Sequence, residues 1–301
     1  MENRNQACPV YTPGLFIDVH SSGDFIYFPW GMDDSPSPNH LPLLTMAAKL
    51  AKPGDYELWG PEQDGFLYFV SGDVTDTTYG IDCIASFGYE VGTEFYEPCG
   101  LFESRTLPAV HESLLYAAKT VSAPYRIPLG PDILSISAEV QDGTQEVVLL
   151  TAQVSDVMNI VDKAVFPSPA EKAQNIEQVR VYVDVYPYDG RSVMSMSPAD
   201  GAFDSVTEMA TANISISDWS PGRHIIYLEA VDTDGNAGAI SAVFVDKPGP
   251  PTQAPTVLPP SNDSQDETAA LPSSTDRSSS TFSLTLSFGV ATLFIITILV
   301  V

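Results

Sequence analysis

Two residues with side chains suited to metal binding and proton transfer each follow a short apolar run. His20 comes directly after residues 15–19, and Glu90 comes directly after residues 84–89. Imidazole is the commonest metal ligand in proteins, and a carboxylate is a frequent general base. Taken alone, a histidine at a strand end is more commonly a structural residue than a ligand. Both runs have the composition of β-strands, so His20 and Glu90 are predicted to stand at strand ends, where functional residues of open α/β sheets gather.

The segments around these runs carry apolar residues at helical spacing. Residues 43–51 and 107–119 fit amphipathic helices, and each has a lysine near its C-terminal end, where the helix dipole favours a cation. Pro42 lies where a first helical turn tolerates proline. The alternation of strands and helices predicts an α/β fold for residues 1–130.

Residues 131–246 differ, because they contain short strand-like runs separated by turn residues. The six runs are 133–140, 147–154, 178–185, 212–216, 224–231 and 239–245. Turn signals such as Asp142-Gly143 and Asp234-Gly235 separate them, which predicts an antiparallel β-sandwich. The stretch 219–236 resembles the last hairpin of immunoglobulin-like modules that are appended to secreted enzymes.

The charge balance restricts the partners of the chain. The 301 residues include 13 Lys and Arg against 39 Asp and Glu, which gives a net charge of −26. Such a chain is not expected to bind nucleic acid, and it offers no basic patch for anionic lipid. An acidic surface suits salty or extracellular surroundings.

The first part of the chain resembles the carboxyl half of carboxypeptidase A-like zinc metallocarboxypeptidases. The resemblance is collinear over roughly residues 11–130. It is carried by segments 14–21, 26–31, 67–80, 86–92, 95–104 and 114–125. The spacing of 22 residues between Tyr68 and Glu90 matches the family.

The resemblance implies a role for five residues. His20 corresponds to a zinc ligand, and Glu90 to the general base that takes a proton from zinc-bound water. Tyr68 corresponds to the phenol that closes over the C-terminal end of the substrate. Ser21 matches the small residue that lines the peptide subsite. Thr75 falls at the base of the side-chain pocket, where it predicts neither an apolar nor a basic preference.

The other groups that the family needs are not recognised in the sequence. Its remaining two zinc ligands come from a His-x-x-Glu motif, and none of the four histidines is followed by glutamate three places on. The arginines that bind the substrate carboxylate belong to the same upstream part. One ligand cannot hold zinc in a catalytic geometry. The expectation is therefore that Met1 is not the natural start of the protein, and the lack of a signal peptide agrees with it.

The C-terminal residues predict attachment to a membrane. Residues 247–281 have the composition of a disordered stalk, and residues 282–301 carry no charge over a length that can span a bilayer. The small residues around Ser273, a polar spacer and the apolar tail favour a GPI-type signal, with a membrane span as the alternative. The protein is expected at the extracellular face of the cell membrane.

The three cysteines and two asparagines allow covalent modification. Cys83 and Cys99 flank Glu90 and are candidates for a disulfide, although Cys8 could pair with either. Asn213 and Asn262 each begin a glycosylation triplet, of which Asn262 in the stalk is the stronger candidate.

Two functions remain open at this stage. The first is a zinc-dependent carboxypeptidase that removes C-terminal residues from peptides or proteins. The alternative is a non-catalytic surface protein whose sandwich binds protein or glycan beside a degenerate peptidase remnant.

Overall fold

A computed structural model gives the fold. It describes residues 5–60, 69–141, 146–157, 173–187 and 194–249, together with the backbone of residues 296–300. Strands dominate and form three sheets, and a few helices accompany the first sheet. The expectation of an α/β part followed by a β-sandwich is confirmed at this level.

The first sheet has five strands in the order β13-β1-β4-β2-β3. Its strands are β1 Leu15–His20, β2 Phe25–Tyr27, β3 Glu57–Trp59, β4 Ala85–Glu90 and β13 Ile296–Val300. The β1–β4 and β2–β3 pairs are parallel, and the β2–β4 and β1–β13 pairs are antiparallel. The sheet is therefore mixed, with β1 and β4 side by side near its centre.

The described residues of this part form four helices: α1 His40–Ala51, α2 Val74–Asp82, α3 Cys99–Leu101 and α4 Leu107–Thr120. Further helical turns cover Lys52–Gly54, Phe102–Thr106 and Ile127–Leu129. The two predicted helices are confirmed as α1 and α4. Helix α2 was not predicted.

Alternation along β1 and β4 divides the sheet into an apolar face and a polar face. Ile17 of β1 and Phe87 of β4 are buried in one hydrophobic core with apolar residues of α1 and α4. Asp18 and Gly88 alternate with them and lie on the opposite face. The period of two thus fixes which side of the sheet carries polar groups.

Two four-stranded antiparallel sheets follow, in the orders β5-β6-β10-β9 and β12-β11-β7-β8. Their strands are β5 Asp132–Val140, β6 Val147–Ser155, β7 Ile176–Val183, β8 Met194–Ser195, β9 Ser197–Pro198, β10 Thr207–Ser215, β11 Gly222–Asp232 and β12 Ser241–Lys247. The six predicted strands are all present. A second core lies between these sheets, with Leu150, Val181 and Leu228 fully buried in it.

The two parts meet at a close backbone contact. A side chain at Gly238 would overlap the carbonyl oxygen of Pro131, and one at Gly130 would overlap the backbone of Ala237 and Gly238. Lys49 of α1, whose side chain is 8% exposed, donates to the Gly130 carbonyl at 2.7 Å and lies 3.1 Å from the Asp132 carboxylate. The junction predicted at residues 130–131 is therefore tightly packed.

The disulfide joins Cys8 to Cys83, with a Cα–Cα distance of 5.3 Å. The proposed Cys83–Cys99 pair is wrong, and Cys99 is a free, exposed thiol. Cys83 precedes β4 and Cys99 follows it, so a strand of six residues, about 20 Å long, separates the two. A disulfide needs Cα atoms within about 7 Å of each other.

The C-terminal residues are described only in part. Ile296–Val300 form β13, which pairs with β1. Residues 250–295, which include most of the stalk and most of the apolar tail, lie outside the described residues. In the part of the chain that the structure covers, no helix is both long and apolar enough to cross a bilayer.

Candidate functional site

His20 and Glu90 are direct neighbours across the parallel β1–β4 pair. Each is the last residue of its strand, and the register places them opposite each other. The backbone continues the pairing past the strand ends, because the Val91 amide donates to the His20 carbonyl at 2.9 Å. His20 and Glu90, each predicted to stand at a strand end, therefore lie side by side at the carboxyl end of the β1–β4 pair.

The carboxylate of Asp18 lies beside the imidazole of His20. One carboxylate oxygen of Asp18 lies 3.0 Å from Nε2 of His20. Residues two apart on a strand share a face, so the pair follows directly from the sequence spacing. A carboxylate on one ring nitrogen fixes the ring and leaves Nδ1 as the nitrogen available to a metal, an arrangement common to metal-ligating histidines. Asp18 is only 7% exposed, and among the described residues its second oxygen has no hydrogen-bond partner.

Burial raises the pKa of Glu90, and this is the largest influence on it. The nearby imidazole of His20 opposes the shift, and the carboxylate of Asp18 adds to it. A carboxylate with a raised pKa is a stronger proton acceptor. The environment of Glu90 therefore suits a general base.

Tyr27 occupies the same face, and sequence reasoning missed it. Its ring lies over Gly88, where any side chain would overlap it. Burial raises the pKa of Tyr27, and the carboxylates of Asp73, Asp18 and Glu90 raise it further, in that order. The signal available in the sequence was Gly88 itself, because glycine inside an apolar strand marks a close approach by another group.

Ser21 connects the turn after β1 to the loop after β4. Its hydroxyl donates to the Phe95 carbonyl at 3.4 Å, and the Gly23 amide donates to the Gly92 carbonyl at 2.8 Å. The Ser21–Ser22 peptide bond is cis. Phe95 and Tyr96 are 53% and 84% exposed, and their rings pack edge to face. Ser21 therefore borders the site, and two exposed aromatic rings lie beyond it.

Thr75 is buried in the first turn of α2, where its hydroxyl is bonded to the carboxylate of Asp73. Asp76, in the same turn, accepts hydrogen bonds from the amides of Gly31 at 2.9 Å and Met32 at 3.1 Å. Burial raises the pKa of Asp76 to about 6, against the effect of these bonds. Asp73, the acid beside Thr75, also raises the pKa of Tyr27, which lies on the face that carries His20 and Glu90.

Some predicted residues lie away from this site or beyond the described residues. Tyr68 and Asn262 lie outside the described residues. Asn213 is exposed in β10 of the sandwich. Within the described ranges, no three His, Cys, Asp or Glu side chains are grouped so that they could hold a metal ion. Among the described residues, His20 has no further ligands grouped with it. These residues therefore do not fit a catalytic zinc, which needs three protein ligands.

Comparisons with known proteins add little. No family model matches the chain, and no curated protein matches it. Among solved structures, wild-type OgpA from Akkermansia muciniphila is 12% identical over 38% of this chain and 27% of its own length, with a TM-score of 0.26. This chain thus spans about a quarter of the length of OgpA.

Two further solved structures are similarly distant. The fibronectin(III)-like modules of Clostridium thermocellum CbhA are 14% identical over 38% of this chain and 97% of theirs, with a TM-score of 0.21. The endo-beta-1,4-mannanase from Thermotoga petrophila is 13% identical over 76% of this chain and 38% of its own, with a TM-score of 0.22. Likenesses this slight assign neither a family nor a function.

Proposed function

We propose that the chain contributes the His20 and Glu90 groups of a zinc-dependent carboxypeptidase site that acts on the C-terminal residues of peptides or proteins. The observation that supports this most is the alignment of His20 with Glu90 at the end of the β1–β4 pair. The carboxylate of Asp18, 3.0 Å from Nε2 of His20, adds to it, because metal-ligating histidines commonly have a carboxylate at their other ring nitrogen.

The proposal needs zinc ligands besides His20, from residues other than those described. We therefore assign to this chain only what its own groups do. Asp18 holds the imidazole, and Glu90 accepts a proton at its carboxylate and returns it to a leaving amine. Ser21 borders the peptide, Tyr68 covers the end of the substrate, and Thr75 with Asp73 lines the side-chain pocket.

The proposed location is the extracellular face of a membrane. The Cys8–Cys83 disulfide supports an oxidising compartment, where such bonds persist. The exposed position of Asn213 is compatible with glycosylation there.

The test uses the native protein purified from its source. Its N-terminal sequence and zinc content are measured first, and then its hydrolysis of benzoyl-glycyl-phenylalanine and benzoyl-glycyl-arginine. We expect bound zinc and activity that a chelator abolishes. A Glu90→Gln variant with the same first and last residues as the native protein should lose about 10²–10⁴-fold in kcat. Glu57→Gln, at an exposed position of β3, is the matched control and should retain activity.

Two outcomes would contradict the proposal. One is hydrolysis that a chelator does not affect. The other is a native protein that holds no zinc and releases no C-terminal residue from either substrate.

A second candidate is a surface protein that binds through its sandwich. The outer face of the β11–β12 pair favours it, because Phe244 is 62% exposed with the Arg223 guanidinium over its ring, and Tyr227 packs edge to face with Tyr186. Aromatic rings and arginine are typical of binding surfaces. Binding of surface glycans or proteins that Phe244→Ser abolishes, in a chain without zinc, would support this candidate over the first.

A further inference from the structure

His224 is a buried histidine in the sandwich, away from the candidate site. It lies in β11 with its side chain 9% exposed. Its Nδ1 is 2.6 Å from a carboxylate oxygen of Asp184, which follows β7, and its Nε2 is 2.8 Å from the backbone carbonyl of Ser220. Both ring nitrogens therefore have a close oxygen partner.

The chemistry of those partners fixes the protonation of the ring. A carbonyl oxygen and an ionised carboxylate can only accept hydrogen bonds. A neutral imidazole carries one N–H and could satisfy one of them, whereas the imidazolium donates to both. We infer that His224 is held as a buried imidazolium that ties the end of β7 to loop 216–221, and that its deprotonation releases this loop. The two hydrogen bonds of the ring, to Asp184 and to Ser220, therefore depend on pH.

Loop 216–221 is also held by a second cation. Lys247 of β12 donates to the carbonyls of Ser217 at 2.8 Å and Trp219 at 2.6 Å. The Trp219 ring lies 4.6 Å from the His224 ring, so a positive imidazolium is also stabilised by the aromatic face. Loss of the His224 charge leaves Lys247 in place, and the loop is expected to loosen without unfolding of the sandwich.

Three further charged groups near His224 in the described part of the sandwich have other partners. Arg223, beside His224 on β11, forms a two-bond ion pair with Asp246 of β12. The second oxygen of Asp184 accepts from the Ile225 amide at 2.9 Å. Asp218, in the loop, accepts from the Ser217 hydroxyl at 3.4 Å. Among the described groups, Asp184 thus meets His224, and Lys247 opposes its charge.

The directions of the pKa shifts of His224 and Asp184 define the pH range in which both hydrogen bonds of the His224 ring are formed. The bonds to Asp184 and then Ser220 raise the pKa of His224 above its ordinary value of 6.5. The pKa of Asp184 is lowered below 3.8, because the bonds from His224 and the Ile225 amide outweigh the effect of burial. The contribution of His224 to stability is complete below pH 6.5 and is lost as the pH rises through its folded pKa. The contribution of Asp184 is complete above pH 3.8 and is lost as the pH falls through its own.

The test is an NMR titration of the full chain with ¹⁵N-labelled histidine. We expect both ring nitrogens of His224 to carry protons at pH 6, and the ring to titrate above 6.5. In Asp184→Asn the pKa of His224 should fall by about one unit or more. Asp246→Asn is the matched control, since it removes a neighbouring carboxylate that does not touch His224.

Amide hydrogen exchange, corrected for its intrinsic pH dependence, tests the release of the loop. Protection at Ile216 and Trp219 should fall by about tenfold as His224 titrates, the equivalent of one charged hydrogen bond. In His224→Gln, which cannot titrate, that protection should not change over the same range. A wild-type ring that titrates at or below 6.5, or an equal response of the two aspartate variants, overturns the inference.

Discussion

At the scale of single residues, Gly88 decides what the polar face of the first sheet can hold. It stands in β4 between Asp18 of β1 and Tyr27 of β2, and all three lie in one row across the sheet. The lack of a side chain at Gly88 lets the Tyr27 ring lie against the strand. The phenol of Tyr27 therefore shares a face with His20 and Glu90, and position 88 adds no side chain to that face.

Alanine at Gly88 is expected to displace the Tyr27 ring and to lower the free energy of unfolding by about 1–3 kcal/mol. Urea unfolding of Gly88→Ala measures this. The matched control is Gly100→Ala in α3, where an added Cβ meets nothing within 4 Å. Because the cost arises from Tyr27, Gly88→Ala should cost less in a Tyr27→Leu background. An equal cost in both backgrounds would show that the Tyr27 ring is not its source.

At the scale of elements, the disulfide ties the N-terminal segment to the end of α2. It joins residues 75 apart, so it removes many conformations from the unfolded chain. Cys8 is also bonded through its amide and carbonyl to the side chain of Asn39. The bond thus fastens a segment that is already in contact with the residue before α1.

Replacing Cys8 and Cys83 together by serine is expected to lower the free energy of unfolding by about 2–5 kcal/mol. The measurement is urea unfolding of the oxidised wild type and of the double variant. Cys99→Ser should leave stability unchanged, because Cys99 is free and exposed. A reducing agent should destabilise the wild type and the Cys99 variant alike and leave the double variant unaffected. A double variant as stable as the wild type would contradict this account.

The sequence allowed β1, β4, α1 and α4 to be predicted because each has a strong apolar pattern, and with them the positions of His20 and Glu90. Helix α2 was not predictable in this way, since its β-branched residues and Gly80 are weak helix formers. It is held by contacts distant in the chain, such as those of Asp76 with Gly31 and Met32. Strands β2 and β3 have three residues each, too few to show a period.

The same limit applies to parts of the candidate site. The pairing of Asp18 with His20 follows from strand period and was available in the sequence, whereas Tyr27 and Asp73 reach the site only through the fold. The choice of Cys8 over Cys99 as the partner of Cys83 depended on the fold, because Cys83 precedes β4 and Cys99 follows it. Such relations are set by tertiary structure, which spacing alone does not specify.

At the scale of the whole molecule, the two hydrophobic cores are joined through Gly130, Gly238 and Lys49. The glycines permit direct backbone contact, and Lys49 bonds to groups on both sides of the junction. The cores are therefore expected to unfold together. Trp30 and Trp59 report on the first part, and Trp219 reports on the second.

Gly238→Ala is expected to force the Pro131 carbonyl away and to lower the free energy of unfolding by about 1–3 kcal/mol. It should also separate the unfolding of the two cores. Hydrogen exchange measured by mass spectrometry in urea follows both at once. Lys119→Ala, which removes only an exposed bond to Ser241, is the control and should keep a single transition. A Gly238→Ala protein that unfolds like the wild type would show that the contact is not required.

The shared register of β1 and β4 has a consequence for the fidelity of folding. If β1 slipped by one residue, Asp18 and His20 would turn into the apolar core, and Leu15 and Ile17 would turn out to the polar face. The free-energy cost of burying those two ionisable groups excludes this alternative. Every molecule whose β1 completes the core must therefore also have His20 on the polar face with Glu90, so selection for stability alone would preserve this placement even in a descendant that had lost all activity.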